Sequence, residues 1–494
     1  MIIKKILCRL KNFFILATCY LLLATFLSGC SDNRYLSEKL FWQAEREAAS
    51  IYRKGAKNLT DADYETIIKL YKKVVDNAPL EPMAAKAQFA IAGVYTSQGK
   101  YKEAQKEFLE IINNFSSKPV VASEAQLAIG KLYEAQGKWR MALEEYDKII
   151  DLYPLTPLGL NMPAYIVSYY ENKNDNEGAG KAYERGVRHY NKIMGEFTET
   201  DVVPTIQDYL ASFYSLHGDF KEAVKVWSQI IDNSPGSQYA EKAFLSKAET
   251  YAQSLKDIPS AIATFEEFIK NHPRYKNLKE IKMRIAALYF ENSQIEQAKE
   301  KYSELLKDYP GDKDAAVKAY VGLSYCYRKE ANTDKVIEMY NKIKASYPES
   351  QAALSVPFLI AQYYDELKYA SQAGDAYKNA IVEYQKILED DKRKEDAKQE
   401  AANFLALCYI KTKEMDKALQ LLRMLSDKHQ DNPTYLFDMA TLYINLNAPD
   451  KAIKVYEEVI KKFKDNKMVV RIAQTQLNSL KAVNKAAATQ ATQQ

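Results

Sequence analysis

The 494-residue chain carries 69 Lys and Arg against 65 Asp and Glu, with 47% hydrophobic and 12% aromatic residues. Four of the basic residues (Lys4, Lys5, Arg9, Lys11) and no acidic one lie in residues 1–29, leaving 65 against 65 in the rest. No overall basic surplus remains to neutralise phosphates or hold an anionic surface, which excludes nucleic acid as a partner.

At the N-terminus the basic residues precede an almost wholly apolar run over residues 12–26, followed by Leu27-Ser28-Gly29-Cys30. Residues 1–29 read as a signal peptide, and the last four residues resemble a bacterial lipobox. The resemblance implies a diacylglycerol on the Cys30 thiol, cleavage before it and acylation of the new amine, with residues 30–35 as a lipidated tether. An ordinary signal peptide or a short membrane anchor is the alternative. Two or more acyl chains hold a protein stably where one does not. In lipoproteins of this type an aspartate directly after the cysteine favours the inner membrane; here Ser31 follows and Asp32 comes one later. The expected address is the outer membrane, facing the periplasm. Residues 36–57, with Phe41, Trp42 and Tyr52, are expected to form a helix capping the first repeat.

From residue 67 to residue 452 a small residue precedes a bulky one by four positions, eleven times over. The small positions are Ile67, Ala104, Ala142, Ala179, Ala223, Ala261, Ala298, Val336, Ala373, Ala418 and Ala452, at steps of 37, 38, 37, 44, 38, 37, 38, 37, 45 and 34. Ten of the eleven bulky partners are aromatic; the exception is Leu422. Nine residues before the small position a tyrosine recurs, at 95, 133, 170, 214, 289, 327, 364, 409 and 443, with Tyr251 displaced by one. Two amphipathic helices joined by a turn such as Gln136-Gly137-Lys138 are implied, repeated as stacked units that share one core.

These residues resemble the tetratricopeptide repeat, most fully in Gly130, Tyr133, Gly137, Trp139, Ala142, Tyr146 and Pro154. The resemblance implies an all-α fold: a right-handed α-solenoid of about eleven helix hairpins over residues 36–481. Prolines close several units, as in Tyr153-Pro154 and Tyr347-Pro348. The stretches Tyr153-Pro154-Leu155-Thr156 and Tyr347-Pro348-Glu349-Ser350, together with one extra turn per repeat, are similar to envelope lipoproteins of the outer-membrane-assembly (BamD-like) type. Two regions break the pattern. Residues 155–200 carry Pro157 and Pro163, and Gly178–Lys181 reads as a loosened hairpin. Residues 386–400 hold eleven charges, with Glu389/Arg393 and Asp390/Lys394 spaced i,i+4, and read as a helix extended into solvent. From residue 482 to 494 an Ala/Thr/Gln-rich tail is expected to be disordered.

Nothing points to catalysis, a metal or a cofactor. The four histidines are widely separated and none has metal-ligand spacing, and Gly178-Ala179-Gly180-Lys181 lacks the other residues of a phosphate loop. Cys326 and Cys408 fall on first helices two units apart, beyond disulfide reach, and are expected to be buried free thiols. In the family that the repeats resemble, ligands lie along the face lined by the first helices. By register that face carries Phe89, Leu127, Met283, Phe290, Tyr325, Phe358, Asn403 and Phe437, suited to an extended peptide or a partner helix. The expectation is a non-enzymatic, lipid-anchored periplasmic scaffold that binds other proteins, envelope-assembly components first. Polysaccharide export and glycan uptake are the alternatives.

Overall fold

The computed structural model describes residues 33–55, 58–198 and 200–491. Residues 1–29, Cys30 and the first half of the tether lie outside them. The chain forms two compact units, one up to Lys256 and one from Asp257. Both are stacks of antiparallel helix hairpins, and no strand occurs among the described residues. The all-helical solenoid of tetratricopeptide-like repeats is therefore the observed fold.

In the first unit the hairpins pair α1 (Asn33–Tyr52) with α2 (Asp61–Asn77), α3 (Pro82–Ser97) with α4 (Tyr101–Asn114), and α5 (Pro119–Ala135) with α6 (Trp139–Leu152). Next come α7 (Pro157–Asn172) with α8 (Asn176–Glu196), then α9 (Val203–His217) with α10 (Phe220–Asn233), and finally α11 (Gln238–Glu249). A π-helical turn, Thr250–Ser254, follows α11. Such a turn takes up an extra residue, and Tyr251, the repeat tyrosine one position out of register, lies within it. The second unit starts with α12 (Ile258–Asn271) and continues with five hairpins. They are α13 (Leu278–Glu291) with α14 (Ile295–Asp308), α15 (Lys313–Lys329) with α16 (Thr333–Ser346), α17 (Gln351–Glu366) with α18 (Ala370–Glu389), α19 (Glu395–Lys411) with α20 (Met415–Lys428), and α21 (Thr434–Asn445) with α22 (Pro449–Lys462). The final helix, α23 (Lys467–Ala491), covers the open side of α22.

Two hydrogen bonds account for the constant spacing of nine between repeat tyrosine and small residue. The tyrosine carbonyl accepts from the amide five residues on, as in Lys138 N to Tyr133 O at 2.9 Å, Asn332 N to Tyr327 O at 3.0 Å and Glu414 N to Tyr409 O at 2.8 Å. That fifth residue then accepts from the amide of the small residue four further on, as in Ala142 N to Lys138 O at 3.0 Å. The turn between them needs one left-handed residue, filled by Gly99, Gly137 and Gly218 but also by Asn174, Ala331 and Lys368. Below the turn the small residues are buried and let the helices close. At Gly130 even a Cβ would meet the Tyr146 ring at 2.2 Å.

The Tyr-Pro-x-Ser/Thr stretches have a local explanation. The last residue caps the next helix: Gly159 N donates to Thr156 Oγ1 at 3.0 Å, and Ala353 N to Ser350 Oγ at 3.1 Å. Asp312 does the same after Tyr309-Pro310, accepting from Ala315 N at 2.9 Å.

Both irregular regions arise from long second helices. Eight of these helices have 14 residues, whereas α8 has 21 and α18 has 20, about two extra turns. Each follows a first helix with an internal proline, Pro163 in α7 and Pro357 in α17. A proline in a helix interior removes a donor and crowds the turn before it. In each case a buried tyrosine on the added turns reaches back to that turn. Tyr190 donates to Leu160 O at 2.5 Å, and Tyr384 donates to Leu354 O at 2.8 Å while accepting from Phe358 N at 3.2 Å.

Several sequence expectations therefore change. Gly178–Lys181 is not a loosened hairpin but the regular start of α8, with Gly178 N capped by Asp175 at 2.9 Å. The extension of α18 is packed by Tyr384 and ends at Glu389, so the pairs Glu389/Arg393 and Asp390/Lys394 do not share a helix. Arg393 instead binds Glu349 at 2.8 Å. The backbone of residues 482–491 continues α23 as helix, which its alanines favour. Trp42 and Tyr52 are exposed rather than part of the cap; Phe41, Ala44 and Ala48 make that contact, with Phe41 6.0 Å from Tyr71. Cys326 and Cys408 are buried free thiols, as the register requires.

Replacing Tyr384 by Phe leaves the buried Leu354 carbonyl without this donor. The expected loss is about 1–3 kcal/mol in urea unfolding, whereas Tyr369→Phe, at an exposed hydroxyl, should change little. Burial pushes the Cys326 thiol up to about 11 and the Cys408 thiol up to about 12. Because the thiolate is the reactive form, neither should react with a thiol reagent at pH 8 until the protein unfolds. The folded values exceed the unfolded ones, so their stabilising contribution is intact below the ordinary thiol pKa. It falls away as pH rises through about 9 to 12, measurable as a declining melting temperature.

Candidate protein-binding groove

Six of the eight residues expected on the ligand face occupy one register position, six residues before a repeat tyrosine. They are Phe89 on α3, Leu127 on α5, Met283 on α13, Phe358 on α17, Asn403 on α19 and Phe437 on α21. All six are half-buried. The phenylalanines pack on the aromatic of their own second helix, with ring centroids 5.7 Å apart for Phe89 and Phe108, 6.1 Å for Phe358 and Tyr377, and 6.1 Å for Phe437 and Tyr456. Leu127 packs in the cluster around Tyr146, and Met283 in the cluster around Tyr302. These five side chains hold each hairpin together. Phe290 also packs inward, 6.3 Å from Tyr325, which is 50% exposed and stands open to a ligand.

Asn403 differs. In its hairpin the inner position holds an amide instead of an apolar side chain, and its partner on the second helix is Leu422, the one non-aromatic residue of the bulky series. Both changes remove volume, and a groove of about 480 Å³ opens there, lined by Asn403, Leu407 and Ile410 from α19, Leu422 from α20, and Asp438, Thr441 and Asn445 from α21. A second opening of about 500 Å³ shares Gln399 and Asn403 with it and extends to Glu349, Gln351 and Leu354 at the start of α17. Together they cross three successive first helices of the second unit.

The lining suits a polypeptide. Gln399 donates to the Tyr435 hydroxyl at 2.8 Å, which orients one amide, while those of Asn403 and Asn445 have no partner among the described residues. A side-chain amide offers both a donor and an acceptor, which is what a peptide main chain requires. Leu407, 43% exposed, and Ile410 provide an apolar wall. The mouth leans acidic, with Asp396, Glu400 and Asp438 against Lys394, and burial raises the Asp438 carboxyl above its ordinary range. No group of three or more His, Cys, Asp or Glu that could hold a metal occurs among the described residues. No described helix is long and apolar enough to cross a membrane.

Sequence reasoning named Asn403 but missed the groove. Its signal was the single leucine among eleven bulky positions, facing the single amide at the inner position.

Phe358→Ala should lower stability by about 2–4 kcal/mol, as a partly buried aromatic truncation does. Asn403→Ala should stay within about 0.5 kcal/mol of the unmodified protein. Chemical denaturation of the two variants compares a packing residue with one available for binding.

Models of the tetratricopeptide repeat match residues 124–156, 242–275, 282–312, 318–350 and 435–466, and a second model of the same repeat matches residues 372–437. These segments are tetratricopeptide repeats. Among curated proteins, the RNA polymerase-associated protein CTR9 of Saccharomyces cerevisiae is 22% identical over 319 residues, which is 62% of this chain and 28% of CTR9. The chain thus matches well under a third of that relative's length. Among solved structures, Naa15/Naa10 bound to HypK-THB aligns with a TM-score of 0.40 and 15% identity over 88% of this chain and 65% of that one. The crystal structure of yeast Tom70 aligns at 0.34 and 15% over 91% of this chain and 97% of that one. None of these matches supports the narrower likeness to envelope lipoproteins of the BamD-like type.

Proposed function

We propose that this tetratricopeptide-repeat chain is a non-catalytic scaffold that binds other proteins, held to the outer membrane by acyl chains on Cys30 and facing the periplasm. Its work is outer-membrane assembly or maintenance. The observation that carries the binding role is the groove around Asn403 and Leu422, which opens where both contact positions of a hairpin lack an aromatic and is lined by free amides beside an apolar wall. Such a surface accepts an extended segment of a partner through its main chain, with one apolar side chain against Leu407 and Ile410. The anchor rests on the sequence Leu27-Ser28-Gly29-Cys30 after a basic and apolar leader. The envelope setting follows from the anchor.

Photo-crosslinking residues placed at Leu407 and Thr441 in cells, followed by mass spectrometry, test the reading. The expected result is capture of envelope-assembly proteins that is lost when Asn403 is replaced by Arg. Capture of saccharide alone, or equal capture from a position on the outer face such as Lys454, would refute it. In parallel, Cys30→Ala should remove the acyl mass from the N-terminal peptide and release the protein from the membrane fraction.

A further inference from the structure

The outward face of α1 has no role in the hairpin stack. Tyr35, Lys39, Trp42, Arg46 and Arg53 follow one another by 4, 3, 4 and 7 residues, so they line one side of the helix and its C-terminal turn. The opposite side, with Ser37, Phe41, Ala44 and Ala48, faces the body of the unit. Tyr35 is 69% exposed and Trp42 61%. The Arg46 guanidinium lies 5.0 Å from the Trp42 ring. Lys39, Arg46 and Arg53 pair with no carboxylate among the described residues. Of the acids on α1, Glu45 is exposed but lies off the stripe, where it accepts from the Tyr71 hydroxyl at 2.7 Å, while Glu38 and Glu47 stand on the flanks. The chain has no overall basic surplus, yet this one stripe carries three positive charges and two aromatic rings.

We infer that this stripe is a membrane-contact surface whose occupant is an anionic phospholipid headgroup layer. The inference rests on the proposed anchor at Cys30. Tyr35 is five residues after Cys30, so the chain between them spans no more than about 18 Å, and α1 is held close to the lipid. There, tryptophan and tyrosine settle at the level of the headgroups, and lysine and arginine are drawn to anionic lipid. The stripe supplies both residue types on the side that packing leaves free. Acyl chains alone form a swivelling tether; a helix lying on the surface fixes which way the first unit leaves the membrane.

Trp42 makes the contact measurable. Of the three tryptophans, Trp227 is 4% exposed and Trp139 is stacked on Tyr169 with ring centroids 3.3 Å apart. The full-length protein, purified from membranes, is reconstituted in phosphatidylethanolamine and phosphatidylglycerol vesicles with acyl chains brominated near the headgroup. The Trp42 signal is the emission that disappears in Trp42→Phe. The expected result is bromolipid quenching of that signal, reduced to about half or less by the double substitution Lys39→Glu and Arg46→Glu, with the protein still anchored. Mass spectrometry of the N-terminal peptide separates the two proposals. An acylated protein whose Trp42 signal is not quenched overturns the contact surface and leaves the anchor standing. An unacylated protein overturns the anchor, and quenching of Trp42 in that protein supports the stripe independently. Trp42 shielded from aqueous acrylamide but not quenched by bromolipid means that a second copy or another protein covers the stripe, which also overturns the inference.

Discussion

Everything in this molecule depends on how a hairpin closes. A tyrosine carbonyl accepts from the amide five residues later, one residue turns left-handed, and the next helix starts with its small residue at the fourth position. That pair of hydrogen bonds sets the distance along the chain between the two contact positions, so small and bulky residues meet at the same height in each repeat that keeps it. The strength of the constraint shows in what it tolerates. Ala331, Lys368 and Lys413 all adopt a positive φ, a conformation costing of order 1 kcal/mol or more outside glycine. A repeat that accepts this cost several times gains more from register than from an easy turn.

Once register is set, volume decides what each hairpin can do. Where the inner position and the second helix both provide large side chains, as with Phe89 and Phe108 or Phe437 and Tyr456, the space is full and the residues act as core. Where one is smaller, as with Leu127 against Tyr146, the other still fills it. Only the Asn403 and Leu422 hairpin reduces both, and there the surface opens. Binding capacity in this fold is thus a local deficit of packing rather than an added element. The cost of such a deficit stays small because the hairpins on either side keep their aromatics.

This explains what could and could not be read in the sequence. Helix type, hairpin pairing and thiol burial follow from periodicity, since each depends on spacing along the chain. The eight ligand-face residues follow from register too, but register cannot tell a side chain filling a gap from one facing solvent. Phe89, Phe358 and Phe437 belong to the first kind and Asn403 to the second. The helix of residues 36–57 shows the same limit, because its pattern does not say which aromatic turns inward, and the structure gives that place to Phe41 and leaves Trp42 exposed. The Tyr-Pro-x-Ser stretches looked like a family signature, whereas helix capping by Thr156, Ser350 and Asp312 accounts for them. The long steps of 44 and 45 were visible, but their cause was not, because it requires seeing Tyr190 and Tyr384 reach back across their hairpins.

That reach also explains where the groove lies. Pro357 disturbs α17, α18 is lengthened, and the added turns bring Tyr384 against the next first helix, where its ring stacks on Phe404 at 5.7 Å. Phe404 is further held by Phe358 at 5.6 Å. An aromatic next to Asn403 is thus drawn toward α17 and α18, and the space beside Asn403 toward α21 stays open. The first unit offers a comparison, since Pro163, Tyr190 and the long α8 repeat the same device. There the polar residue at the corresponding position of the next helix is Asp208, which is bound by Lys242 at 2.5 Å, and the bulky residue opposite is Trp227, which is buried. The device is shared, but the opening needs the loss of the aromatic as well, and only the second unit combines the two.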